Sequence, residues 1–237
     1  VARRRAALLA LALLAGCSTV QRVSSDASRV LEEKVTLPVR YRLAGADRDA
    51  RVHIERGQGE LEARSYRAAI VAFNRAMWSV ERIADRSLRL AELIAVYDGL
   101  RRAYFGLGVS DFAEEHGSMA GALAGAAARH PSGEATQGLG RAKEAYASAR
   151  FRDAVREFRR ALVDLEDVAE FEARVGQLAE ARCYLALSYF AAQDHQRVRE
   201  ELRRLTGFDP AMSACAREAP PGLRALIAEV QKRPQDL

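Results

Sequence analysis

The sequence predicts an all-α protein, a stack of about four helical hairpins with a C-terminal capping helix, set behind a leader and a tether. Three observations predict it. From about Asp47 onward, apolar residues recur at three- and four-residue spacing, the period of an amphipathic helix. No stretch alternates apolar and polar residues long enough to make a strand. A small–aromatic–small pattern also returns at a long interval, as it does in repeat proteins.

The first element is the leader. Arg3, Arg4 and Arg5 precede nine apolar residues from Ala6 to Leu14, and the run ends in Leu14-Ala15-Gly16-Cys17. A basic, then apolar, then small-residue layout is that of a secretory signal peptide. Nine apolar residues are too few to span a bilayer, which takes about 20. Val1 fits a GTG start, read as Met in the cell. Residues 18–45 lack sustained periodicity: Ser24, Ser25, Asp26 and Ser28 have linker character, and Pro38 pushes Val35 to Leu43 towards extended backbone. The expected division is a signal peptide over 1–16, a modified cysteine and tether over 17–45, and a helical domain over 46–233.

Within that domain the periodicity predicts helices over 50–64, 66–84, 87–107, 111–129, 134–149, 152–176, 178–192 and 195–206. Breaks are expected at Gly106-Leu107-Gly108, His130-Pro131-Ser132-Gly133 and Gly207-Phe208-Asp209-Pro210. A last helix follows Pro220-Pro221-Gly222 and runs from Leu223 to about Lys232.

The sequence Leu14-Ala15-Gly16-Cys17 resembles the lipobox of bacterial lipoproteins. That resemblance implies cleavage between Gly16 and Cys17 and a lipid on Cys17, the only prosthetic addition expected. Two or three acyl chains, at about 0.8 kcal/mol per buried methylene, make such an anchor effectively permanent. Ser18 after the cysteine implies the outer membrane of a Gram-negative bacterium, facing the periplasm, because Asp at that place marks inner-membrane retention. Inner-membrane anchoring stays open.

Tyr66-x2-Ala69-x3-Phe73-x2-Ala76 and Phe151-x2-Ala154-x3-Phe158-x2-Ala161 share one spacing. Both resemble the second helix of a tetratricopeptide repeat, where small residues admit close helix contact and Phe fills the groove. Arg182-x2-Leu185-Ala186-x2-Tyr189 is similar to the end of the first helix. Tyr97-x2-Leu100-x3-Tyr104-x8-Ala113-x6-Ala120 makes a weaker unit, and Gly57 occupies a usual glycine place. On one frame the four units start near 50, 94, 135 and 179, at intervals of 44, 41 and 44 residues, against 34 in the standard repeat. Trp78 lies outside the family's Trp position.

Composition narrows the function. The net charge is +5, but the leader carries Arg3, Arg4 and Arg5 and no acid, which leaves 34 basic against 32 acidic residues. Arg alternates with acid, as in Arg156-Glu157 and Arg199-Glu200-Glu201. That is the pattern of a solvated helix face and no nucleic-acid footprint. Metal-ligand spacing is absent around His53, His116, His130 and His195, and Glu114-Glu115-His116 has the character of a solvated helix end. The acidic pairs Glu32-Glu33 and Glu200-Glu201 are expected on helix surfaces. No nucleophile motif occurs, and Gly106-x-Gly108 lacks the strand a phosphate loop needs. The expectation is no enzyme, no small-molecule substrate, and a protein partner in the cell envelope.

In tetratricopeptide domains the first helices line a concave groove. Phe105, Tyr146 and Phe190 share one place on the common frame, with Arg51, Asp98, Arg102 and Lys143 as polar neighbours; core packing is the competing role for the aromatics. Cys183 and Cys215 remain once Cys17 is modified, and an oxidising periplasm favours their pairing. The frame puts Cys183 near the start of its helix and Cys215 in a loop that returns to it. The resemblance implies an envelope scaffold, pilotin-like, that assists a secretin, pilus or secretion machine. The repeat lipoprotein of the outer-membrane barrel-assembly complex is a second analogy, but its Tyr-Pro terminators are absent. The alternative from another class is an accessory that tethers a peptidoglycan enzyme, and an enzyme or glycan-binding lipoprotein ranks last.

Overall fold

A computed structural model describes residues 45–131, 135–207, 209 and 212–232. The expected leader, lipidated Cys17 and tether, up to residue 44, lie outside the described residues. Among those described, ten α-helices and no strand occur: α1 Ala46–Glu62, α2 Tyr66–Val80, α3 Arg86–Gly106, α4 Ser110–Ala127, α5 Ala135–Ala147, α6 Phe151–Asp164, α7 Phe171–Ala191, α8 His195–Thr206, α9 Ser213–Glu218 and α10 Pro221–Lys232. Local chemistry sets several starts. Asp85 caps α3 by accepting from the Leu88 amide (2.7 Å) and Asp194 caps α8 by accepting from the Arg197 amide (3.1 Å). Asp47 and Asp49 sit in the first turn of α1, where the helix dipole favours negative charge.

The helices pair as α1–α2, α3–α4, α5–α6 and α7–α8, and each pair is closed by the same three-residue turn. Its middle residue is left-handed: Arg64 (φ 58°), Gly108 (φ 75°), Ala149 (φ 56°) and Gln193 (φ 63°). The next amide donates to the carbonyl five residues back, as Ser65 to Glu60 (2.8 Å), Val109 to Tyr104 (3.0 Å), Arg150 to Ala145 (3.0 Å) and Asp194 to Tyr189 (2.9 Å). This is the Schellman closure of a helix C-terminus. The four left-handed residues are 44, 41 and 44 residues apart, the intervals of the sequence frame. Only one of them is glycine, so the turns at 64, 149 and 193 carry a left-handed penalty of about 1–2 kcal/mol each and escape a search for Gly.

Small residues set the helix spacing. Ala69, Ala76, Ala154 and Ala161 are buried in α2 and α6, with Phe73 and Phe158 between them. A Cβ at Gly57 in α1 would lie 2.8 Å from the Phe73 ring, and one at Gly99 in α3 only 2.3 Å from it. Phe73 is therefore clamped between two hairpins by two missing side chains. Gly138 plays a milder part, its Cβ position lying 3.6 Å from Ala161.

The hairpins do not form a uniform row. α2 packs on α3 and α6 on α7, but α4 meets α6 rather than α5, and α8 reaches back to α2. The fourth hairpin thus closes on the first two.

Three local expectations are corrected. The helix expected over 152–176 ends at Asp164; a 3₁₀ turn follows over Leu165–Asp167, and α7 starts at Phe171 instead of 178. No Gly or Pro signals this break. Side chains claim its carbonyls instead: the distant Arg89 takes that of Glu166 (2.8 Å) and Arg174, six residues on, takes that of Val168 (3.1 Å), carbonyls a continuous helix would use itself. Cys183 lies in the middle of α7, not near its start, and Cys215 lies in α9 rather than a loop. The two are joined by a disulfide, with Cα atoms 5.2 Å apart.

Candidate functional site

The seven groove candidates fall in four helices, α1, α3, α5 and α7, and meet different neighbours. Phe105 is 74% exposed beside the α3–α4 turn. Tyr146 is half-buried, edge-on to Phe151 and Tyr184. Phe190 is half-buried against His195, over the backbone of Gly222. Arg51 pairs with Glu92 (3.3 Å), Asp98 accepts from Arg101 (2.8 Å), Lys143 donates to Glu180 (2.7 Å) and Arg102 is exposed. None of the seven lines either of two cavities, of about 610 and 530 Å³.

The interior holds what the sequence assigns to the surface. Glu200 and Glu201 are buried, and His116 is 1% exposed. Their positions on α8 and α4 face the seam where the fourth hairpin meets the second. Arg204 pairs with both Glu200 and Glu201 and lies 2.7 Å from His116 Nε2. His116 Nδ1 faces the Phe112 carbonyl (2.6 Å), its ring stacks on Tyr104 (5.0 Å), and Tyr104 donates to Glu200 (3.2 Å). Arg182 donates to Glu201 (3.1 Å) and lies 3.7 Å from Glu81; Arg89 donates to Glu166 (2.6 Å). Glu115 is likewise no solvated end, since it accepts from Arg159 and from Arg197 (2.7 Å).

Burial alone would raise the Glu200 carboxyl, but Arg204 and then His116 outweigh it and hold it at about 2. Burial first, and the Glu166 carboxylate second, push Glu81 well above its ordinary range. Burial and Glu200 also push the Tyr104 hydroxyl up. The network ties helices together.

The larger cavity is a cleft between α4 and α6. Residues at three- and four-residue spacing put Arg152, Arg156, Arg159 and Arg160 on one side of α6, and Arg129 closes the end of α4. Met119, Val155 and Val163 form an apolar floor, and Glu115 and Asp164 are the acids that line the cleft. Arg159 is committed to Glu115 and to the Tyr189 hydroxyl (2.6 Å). Arg152 and Arg160 are exposed and make no ion pair among the described residues. Burial raises the Asp164 carboxyl, opposed by Arg160 and Arg129. Along the chain this face is masked, because Asp153 and Glu157 alternate with the arginines. The signal is present in the four-residue steps from Arg152 to Arg156 to Arg160, which line the cleft, whereas Asp153 and Glu157 do not.

Among the described residues no three His, Cys, Asp or Glu side chains are placed to hold a metal ion, and no helix is long and apolar enough to cross a membrane. The chain matches no protein-family model, no curated protein and no solved structure.

Proposed function

We propose that the chain is a tetratricopeptide-like adaptor of the bacterial envelope, held by a lipid on Cys17 to the outer membrane and facing the periplasm. Its hairpins offer a surface to a protein partner within an envelope machine, in the manner of pilotin lipoproteins. The observation that carries this reading is the recurrence of one hairpin turn at 44, 41 and 44 residues, since stacked hairpins that bury a common core form the extended surfaces by which repeat proteins bind others. Leu14-Ala15-Gly16-Cys17 supports the anchor, and the disulfide between Cys183 and Cys215 suits an oxidising compartment.

The test compares wild type with Cys17→Ser in Gram-negative cells fed labelled palmitate. Label and outer-membrane fractionation are expected for wild type alone; equal label on both overturns the anchor. Cross-linking in intact envelopes is then expected to enrich a defined protein relative to an unrelated lipoprotein with the same anchor. No enrichment overturns the adaptor.

A further inference from the structure

We infer that the α4–α6 cleft is the docking site for an acidic, extended segment of the partner protein, with carboxylates at alternate positions and apolar residues between them. This inference rests on the adaptor reading above.

Charge sets the cleft apart. Elsewhere in the fold Arg89 is matched by Glu166 and Arg204 by Glu200 and Glu201, while the buried Arg174 donates to backbone carbonyls. In the cleft five arginines line the walls against two acids. Glu115 is shared between Arg159 and Arg197, which leaves Asp164 as the lining acid beside Arg129 and Arg160 and no lining acid paired with Arg152. Arg156 is 71% exposed, with Asp153 at 2.9 Å, a surface pair that contributes little. The cleft therefore carries an excess of positive charge over a partly apolar floor, the complement of an amphipathic acidic chain.

Spacing selects the form of that chain. Arg152, Arg156 and Arg160 are successive i, i+4 positions, so they step along the wall at about 6 Å. In an extended segment alternate residues step by about 6.6 Å on one side. A Glu-x-Glu-x-Glu run thus meets one arginine per acid, while the intervening residues turn to Met119 and Ala122 on the opposite wall. The lined stretch from Arg152 to Asp164 measures roughly 18 Å, room for about five extended residues.

The same features disfavour a nucleic acid. No aromatic side chain lines the cleft, so bases have nothing to stack on, and Glu115 and Asp164 would repel a continuous phosphate backbone.

The experiment uses the full chain and two labelled probes, the peptides Glu-Leu-Glu-Leu-Glu-Leu and Gln-Leu-Gln-Leu-Gln-Leu, read by fluorescence anisotropy at two salt concentrations. The Glu peptide is expected to bind at least tenfold tighter than the Gln peptide, and less tightly at higher salt. Arg152→Glu with Arg160→Glu should weaken it at least tenfold. Both side chains are exposed, so the melting temperature should hold; if it falls, Arg152→Gln with Arg160→Gln serves, with a smaller loss expected. Arg48→Glu, far along the chain on α1, is the charge control. Equal binding of the two peptides, or unchanged binding by the double variant, overturns the proposal. So does preferential binding of polyphosphate or phosphatidylglycerol vesicles that the double variant abolishes, since the cleft then serves a phosphate surface. A partner that still cross-links to the double variant would place docking elsewhere while the adaptor reading stands.

Discussion

Two buried seams hold the hairpins together by opposite means. Between the first and second hairpins, Phe73 fills a slot made by the absence of side chains at Gly57 and Gly99. Where the fourth hairpin meets them, Arg182, Arg204, Glu200, Glu201 and His116 fill the same kind of space with charge. The apolar seam needs only the right volumes. The ionic seam needs every partner present, because desolvated charges are tolerated only while matched. The first stabilises by area removed from water; the second selects which hairpin sits where.

The sharpest way to break the comparison is to unbalance the ionic seam. Arg204→Met leaves Glu200, Glu201 and His116 buried with part of their donors gone, so chemical denaturation should show a loss of about 3–5 kcal/mol. A loss below about 1 kcal/mol would mean that water already reaches the seam.

Acid titrates the same seam. Glu200 sits at about 2 in the fold against an ordinary 4.5. Its contribution is thus complete above about pH 4.5 and is lost as pH falls towards 2. Glu200→Gln removes that proton-linked loss, so its melting temperature should fall less than that of wild type across this window. Glu81 runs the other way: its folded carboxyl is raised, so its favourable contribution is present below about 4.5 and disappears as pH rises.

The apolar seam is tested by adding one methyl. Gly99→Ala places a Cβ 2.3 Å from the Phe73 ring, and overpacking of this kind costs typically about 1–3 kcal/mol. The smallest effect should be at the turns, which belong to neither seam. Ala149→Gly relieves a left-handed alanine (φ 56°) and should stabilise by about 0.5–1 kcal/mol, offset in part by unfolded-state entropy. A destabilised Ala149→Gly would show that Ala149 makes contacts that outweigh its strain.

The sequence by itself determined the local half of this protein. The 3.6-residue period set the helices, and the Ala-Phe-Ala spacings marked the second helices α2 and α6, since each depends on neighbours within a few turns. The intervals of 44, 41 and 44 residues followed because a repeat preserves its spacing even where the turn residue changes from Gly108 to Ala149 or Gln193. What only the tertiary structure decided is the pairing of charges. Glu200 and Glu201 look like any solvated acidic pair, and Glu115-His116 like a helix end, because a charged residue's burial is set by its partner and not by its neighbours. Those partners lie far away in the chain: 88 residues separate His116 from Arg204, and 77 separate Arg89 from Glu166. The break after Asp164 has the same origin in part, since the distant Arg89 claims the Glu166 carbonyl. So does the α4–α6 cleft, which exists because α4 meets α6 instead of α5. Periodicity carries information over a few turns of helix, whereas desolvation of a charge is settled only when the hairpins close on one another.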